Sequence, residues 1–272
     1  MKLTLIQNSL SENIENNIEH VKDMLLSLKD PGDLILLPEL FDVPYENEKI
    51  KEAAWYDQKA LAMLQECARK KKAWILGGSL PFRDHGQIFN RAFLIEEKGN
   101  IQASYDKMHL MEVHTAKSDY AESEVFTPGS SFCIKDTPFG RIGILICYDI
   151  RFCEPARILA SQGVKLLLVP AAFNTRAGKK HWQMLLTCRA MENEIFVAGC
   201  NPANYKYGSY QSYGHSLIAG PDGDVLGQLD EKEGILQLEI DLGDIEKVRK
   251  RAPYWKVRRE DLYACKAHCN RS

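Results

Sequence analysis

Leu34-Ile35-Leu36-Leu37-Pro38-Glu39 is an unbroken aliphatic run closed by a proline and a carboxylate, and Leu166-Leu167-Leu168-Val169-Pro170-Ala171 repeats its form in the second half of the chain. An aliphatic run without alternation suits a strand covered on both faces, as in the middle of an α/β layer. Proline has no N–H to give to a ladder, so each run should end as a strand where its proline stands. The residue after each proline is then placed at a strand's carboxyl end, where open α/β sheets collect their reactive groups.

Working outward from the first run, residues 2 to 7 read as a strand, and Ile14, Ile18, Val21, Leu25 and Leu28 recur at helical spacing. Beyond it, Leu61, Leu64 and Ala68 mark a second helix, while Trp74 to Leu80 and Arg91 to Glu96 read as strands, giving βαβαββ. The second run sits in the same order: Arg141 to Ile146 as strand, Glu154 to Ser161 as helix, Val164 to Val169 as strand, His181 to Glu192 as helix, then strands near Glu194 to Cys200 and Gly214 to Ala219. Two such layers facing each other would bury both sheets. The expected fold is α/β, a four-layer α-β-β-α sandwich of two pseudo-symmetric βαβαββ halves.

A chain of 272 residues lies within the range of one large α/β unit, and no low-complexity or Pro/Gly-rich linker parts the halves, so residues 1–272 read as a single domain. Lys107 to Gly129 is a long connection of mixed polarity, of the kind that carries function and can act as a lid. From Asp241 onward come a short charged helix and the aromatic-basic stretch Pro253-Tyr254-Trp255-Lys256-Val257-Arg258-Arg259, expected to pack on the body or on a second subunit before a frayed tail.

With 35 basic against 37 acidic side chains the net charge is -2, leaving no positive excess for a phosphate backbone or an anionic bilayer. Nucleic acid and membrane partners are not expected. Met1 to Gln7 is too short an apolar run for a signal peptide or a spanning helix, which points to the cytoplasm. The eight cysteines are scattered singly, several inside apolar runs (Cys133, Cys147, Cys200), and read as reduced thiols. Cys265, His268 and Cys269 could be metal ligands, but no fourth lies nearby; no metal and no cofactor are expected. His109, His114, His181 and His215 lack ligand spacing and read as structural hydrogen-bonding residues.

Three residues carry a possible chemistry. Cys147 follows the apolar run Ile142 to Ile146 and precedes a helix, a position where backbone N–H groups can lower a thiol pKa. Taken alone, a cysteine there is more often core. Glu39 stands at the corresponding place in the first half, where a carboxylate beside a thiol could take its proton and later activate water, with burial raising its pKa toward that task. Taken alone, it could equally cap a helix. Lys107, after a strand and at the head of the long connection, would favour the thiolate and hold an oxyanion if it lay near.

Ile146 to Phe152 (ICYDIRF), Leu36 to Glu39 (LLPE) and Tyr105 to Leu110 (YDKMHL) together resemble the nitrilase superfamily of carbon–nitrogen hydrolases. Gly77 to Pro81 (GGSLP), Glu122 to Gly129 (ESEVFTPG), His181 to Asn193 and Tyr213 to Gly227 extend the resemblance, in the family's order, over nearly the whole chain. The resemblance implies the α-β-β-α sandwich, homodimers or larger assemblies, and a triad of Glu39, Lys107 and Cys147, with Glu122 as a second glutamate orienting substrate or lysine. It implies hydrolysis of a small-molecule amide through a thioester, the oxyanion being held by Lys107 and the backbone N–H of Tyr148.

GGSLP, the Ala172-Phe173-Asn174 turn and the His181-Trp182 helix look most like the omega-amidase branch, which deamidates 2-oxo acids such as 2-oxoglutaramate. A small anionic substrate calls for a cation, and Arg176 is the candidate, although the branch carries uncharged residues where Arg176 and Lys179-Lys180 stand. Tyr45 and Phe173 are candidate pocket walls, with Tyr148 and Asn174 beside them, and Arg151 is expected to pair with Asp149 or Glu154. The alternatives are another superfamily amidase, acting on deaminated glutathione or N-carbamoyl amines, a nitrilase, or a catalytically silent interaction protein on the same scaffold.

Overall fold

The computed structural model describes residues 1–115, 118–263 and 265. In the first sheet the hydrogen-bonded order is Gly234–Glu239, Lys2–Gln7, Leu34–Leu36, Trp74–Leu76, Gln87–Ile95 and Leu80–Asp84, with Ile101–Asp106 also paired to Gln87–Ile95. The second runs Val225–Gln228, Leu217–Ala219, Phe196–Cys200, Leu166–Pro170, Gly140–Ile144, Cys133–Thr137. Both aliphatic runs are central parallel strands, each flanked by parallel neighbours.

Strand side chains alternate between faces, and the two faces of the first sheet enter different cores. Leu3, Leu5, Leu34, Leu36 and Leu76 join the second sheet's Ile142, Ile144, Leu166 and Leu168 between the sheets. Ile35, Leu37 and Ile75 face the other way, onto Ile18, Val21, Leu25, Leu61 and Leu64 of the helices Ile14–Ser27 and Asp57–Lys71. The second sheet's outer face is closed by Cys153–Ser161 and Thr175–Asn193, through Leu159, Trp182 and Leu186. This is the four-layer α-β-β-α sandwich. Full burial of each Leu or Ile in such a run stabilises by about 1.5–3 kcal/mol, which is why the runs tolerate no polar residue.

Three differences from the sequence reading have physical causes. Trp74 to Leu80 is not one strand: Gly77-Gly78 breaks it into Trp74–Leu76 and Leu80–Asp84, with Gly78 at φ +56°. The first sheet is not built from the first half alone, since Gly234–Glu239 returns to pair antiparallel with Lys2–Gln7. Its half-buried and exposed alternation, with Ile235 41% exposed, gives a weak apolar signal. The short charged helix Asn47–Ala53 and the edge strand Cys133–Thr137 likewise carry little apolar periodicity.

The connection from Lys107 to Gly129 contains the hairpin Glu112–Thr115 with Ser118–Ala121 and a 3-10 turn at Glu122–Glu124; residues 116 and 117 lie outside the described residues. In the carboxyl-terminal stretch, Trp255 packs on the body with the guanidinium groups of Arg157, Arg249 and Arg258 5.2, 5.1 and 3.5 Å from its ring. His268 and Cys269, and the tail expected to fray, lie outside the described residues. Among the described residues no helix is long and apolar enough to cross a membrane.

Candidate active site

Glu39 is placed by the end of the strand Leu34–Leu36. Its backbone N–H donates to the carbonyl of Ala171, the residue at the matching point of the second half, at 3.3 Å. The segment Gly77-Gly78-Ser79 backs it: Ser79 N–H donates to the Pro38 carbonyl at 3.3 Å, and Ser79 Oγ accepts from Leu40 N–H at 3.1 Å. A Cβ at Gly78 would stand 1.8 Å from that same carbonyl, so only glycine lets the two segments approach.

Lys107 follows the strand Ile101–Asp106, its N–H donating to the Asn90 carbonyl at 3.0 Å and its own carbonyl accepting from Gly129 N–H at 2.8 Å. A Cβ on Gly129 would meet the Asp106 carbonyl at 2.2 Å, which accounts for the glycine closing ESEVFTPG. Glu122 enters from the 3-10 turn after the hairpin, and Cys147 begins a second 3-10 turn, Cys147–Arg151, at φ +45°. Only Gly adopts that region without cost; for other residues it is held by the surroundings.

These segments bring four of the expected residues to one buried point. Lys107 Nζ donates to Glu39 Oε1 and to Glu122 Oε1, each at 2.8 Å, and all three side chains are fully buried. Glu39 Oε1 also accepts from Asn90 Nδ2 at 2.8 Å. Oε2 receives no N–H or O–H hydrogen bond among the described residues, and the carboxyl also meets the Cys147 thiol. Glu122 Oε1 accepts in addition from the Tyr45 hydroxyl, and Oε2 from Met111 N–H at 2.5 Å.

Burial dominates the electrostatics. It pushes the Glu39 carboxyl up, the Lys107 ammonium opposing and the Glu122 charge adding to the rise. Burial and then Glu39 push the Cys147 thiol well above its ordinary range, with Lys107 and the Ala172 backbone opposing. This corrects the expectation of a lowered thiol pKa: at this depth burial and the Glu39 carboxyl raise it instead. For Lys107 burial disfavours charge, but Glu122 and Glu39 outweigh it and hold the ammonium protonated.

Of the expected pocket residues, Tyr45 is buried within this cluster, stacked on Tyr210 at 5.2 Å. Tyr148 follows Cys147 in its turn and Phe173 follows the strand Leu166–Pro170, and the Arg151 guanidinium lies 5.5 and 5.1 Å from their rings. Arg151 does not pair with Asp149 or Glu154 as expected; its Nη1 is 3.3 Å from His181 Nδ1. Asp149 is already saturated by Tyr105, His109 and Ile146. Asn174 caps the helix Thr175–Asn193, its Oδ1 accepting from Ala177 N–H at 2.9 Å, and Arg176 is exposed on that helix's first turn. Asn90 and the Asp149 contacts were missed. Tyr105 and His109 lie within YDKMHL and Asp149 within ICYDIRF, where they carried that clue, whereas Asn90 sits in a strand with no motif around it.

A buried thiol, carboxyl and ammonium, held by two facing α/β halves, define an enzyme of the carbon–nitrogen hydrolase class. The family model described as Carbon-nitrogen hydrolase matches residues 2–250, and the chain belongs to that family. It is 35% identical over 266 residues to "Omega-amidase NIT2" of Homo sapiens, covering 97% of this chain and 96% of that one. Among solved structures, Nit3 of Saccharomyces cerevisiae, a member of branch 10 of the nitrilase superfamily, superposes with a TM-score of 0.86 at 30% identity, over 95% of this chain and 96% of that one. A mutant amidase from Nesterenkonia sp. AN1, with the acetamide moiety of fluoroacetamide covalently added at its active site cysteine, gives a TM-score of 0.80 at 27% identity, over 96% and 95% of the two chains.

Proposed function

We propose that the protein is an amidase of omega-amidase type, which hydrolyses the terminal amide of a small carboxylate-bearing substrate such as 2-oxoglutaramate through a thioester on Cys147. The observation that carries this reading is Lys107, buried between Glu39 and Glu122, with the Cys147 thiol against the Glu39 carboxyl. Structural ion pairs seldom leave a thiol against a buried carboxylate one of whose oxygens has no N–H or O–H donor among the described residues.

Glu39 takes the thiol proton as the sulfur attacks the amide carbon, and the Lys107 ammonium with the Tyr148 N–H holds the developing oxyanion. Glu39 returns that proton to the nitrogen, and ammonia leaves. A water gives a proton to Glu39, attacks the thioester and releases the acid, and the proton restores the thiol. The raised Glu39 carboxyl suits a group that must both accept and return a proton. Glu122, fixed by Tyr45 and Met111, holds the ammonium in place, while Tyr45, Tyr148 and Phe173 line the substrate cavity; Asn174, which caps the helix Thr175–Asn193, and the exposed Arg176 stand at that helix's start. Residues 1–272 form one domain, working in the cytoplasm as a homodimer or larger homo-oligomer.

Cys147→Ala is expected to abolish ammonia release while keeping the parent's melting temperature. Intact-protein mass spectrometry of a quenched reaction should show an acyl adduct that maps to the Cys147 peptide. Turnover by Cys147→Ala, or an adduct on another cysteine, would overturn the assignment. A panel of 2-oxoglutaramate, deaminated glutathione, an N-carbamoyl amine and a nitrile separates the substrate classes.

A further inference from the structure

The segment that carries Lys107 and the turn that carries Cys147 come from different halves, and one buried side chain ties them together. Asp149 Oδ2 accepts from the Tyr105 hydroxyl at 2.7 Å and from Ile146 N–H at 2.9 Å. Its Oδ1 accepts from His109 N–H at 3.0 Å and lies 2.7 Å from His109 Nδ1. Tyr105 and His109 stand two residues before and two after Lys107, and Asp149 stands two after Cys147. The His109 ring stacks on Phe152 at 4.0 Å, just past the turn.

The same carboxyl brackets the strained residue. Asp149 N–H donates to the Ile146 carbonyl at 3.0 Å while Ile146 N–H donates to the Asp149 side chain, so Cys147 at φ +45° is enclosed by two reciprocal hydrogen bonds. A left-handed non-glycine residue costs on the order of 1–3 kcal/mol and persists only where its neighbours over-determine it.

We propose that Asp149, anchored by Tyr105 and His109, is a positioning residue: it imposes the Cys147 turn and fixes the sulfur in register with Lys107. This rests on Cys147 being the nucleophile. An asparagine at 149 keeps one oxygen and presents an NH2 in place of the other. Whichever way it is turned, a backbone N–H, of Ile146 or of His109, then faces a donor.

The test compares Asp149→Asn and Tyr105→Phe with the parent, on 2-oxoglutaramate and on propionamide. Asp149→Asn should lower kcat by about 10²- to 10³-fold with KM within about threefold, as displacement of a reacting group does. Tyr105→Phe, whose ring still fills the core, should lower kcat by about 10- to 100-fold, as the loss of a hydrogen bond to a charged group does. In the Asp149→Asn background, Tyr105→Phe should add no more than about twofold, because both act through one carboxyl. The rate of Cys147 alkylation by iodoacetamide, mapped by peptide mass, should fall with kcat while that of the exposed Cys153 stays unchanged.

A folded Asp149→Asn or Tyr105→Phe protein with kcat within about threefold of the parent would overturn the proposal, as would fully additive effects. Should Asp149→Asn not fold, Tyr105→Phe and the alkylation rates decide alone. Activity in Cys147→Ala would instead remove the functional reading beneath it, a separate outcome.

Discussion

Lys107 Nζ lies 2.8 Å from Glu39 Oε1, and neither side chain touches solvent. With Glu122 at the same distance from the ammonium, two carboxylates share one positive charge, so the buried trio carries an uncompensated negative charge whenever both acids are ionised. Two variants should therefore part company. Lys107→Ala leaves two buried carboxylates without a counter-charge and should cost about 3–5 kcal/mol as well as activity. Glu39→Gln removes the excess charge, keeps an oxygen for Lys107, and should melt at or above the parent temperature while losing at least about 10³-fold in kcat. Since the folded Glu39 carboxyl is raised, its contribution to stability is fully present below its unfolded value of 4.5 and is lost as pH rises through the folded value. Thermal melts from pH 4 to 8 should accordingly converge for parent and Glu39→Gln at the acid end.

The approach of Gly78 to the Pro38 carbonyl, directly behind Glu39, gives a second expectation. Gly78→Ala places a methyl 1.8 Å from that oxygen on a backbone at φ +56°, so the strand end carrying Glu39 must shift. A loss of about 2–4 kcal/mol is expected, with kcat falling more than 1/KM. Gly86, also at positive φ but with nothing within 4 Å, is the control, and Gly86→Ala should cost only about 1 kcal/mol and leave kcat unchanged. Denaturant titration and steady-state kinetics on the two variants make the comparison.

Asp42 supplies a pH effect that the reaction does not use. It is fully buried three residues after Glu39, neither side-chain oxygen has a partner from another of the described residues, and burial, opposed by its own backbone N–H, pushes its carboxyl from 3.8 to about 7. Between those values the unfolded chain has released the proton and the folded chain has not. Stability from this group is thus greatest below pH 4, falls as pH rises and levels off above about 7, a loss on the order of 4 kcal/mol. Asp42→Asn should be more stable than the parent at pH 8 and no more stable at pH 4, read from urea midpoints. A parent advantage at pH 8 would count against a raised Asp42 carboxyl.

The aliphatic runs made the two sheets legible because burial on both faces permits nothing but apolar residues. Gly234–Glu239 was illegible for the opposite reason, being an edge strand whose alternate residues face solvent. In the site, Glu39, Lys107, Cys147 and Glu122 could be picked out because each lies in a stretch whose order along the chain resembles the family. Their contacts could not be read, since they join residues 39, 107, 122 and 147 across a fold that no local periodicity encodes. The sign of the Cys147 shift was missed for a related reason: sequence shows the turn that could stabilise a thiolate, not the depth at which it is buried.

Anion recognition gives the last prediction. The carboxylate of the proposed substrate calls for a cation, and Arg176 and Arg151 are the two candidates. Arg176 is exposed at a helix start, where a guanidinium is well solvated and a rigid clamp is costly to form. Arg151 is half-buried over the rings of Tyr148 and Phe173, in the turn that begins with Cys147, with His181 as a polar neighbour. A less hydrated guanidinium held by aromatic faces binds a carboxylate more strongly. Arg151→Met should therefore raise KM for 2-oxoglutaramate by about 10- to 100-fold and leave propionamide nearly unaffected, whereas Arg176→Met should change either KM by no more than about threefold. The reverse ranking would place the substrate's anion at the start of the helix Thr175–Asn193, and equal effects on both amides would mean that the arginines shape the cavity without reading charge.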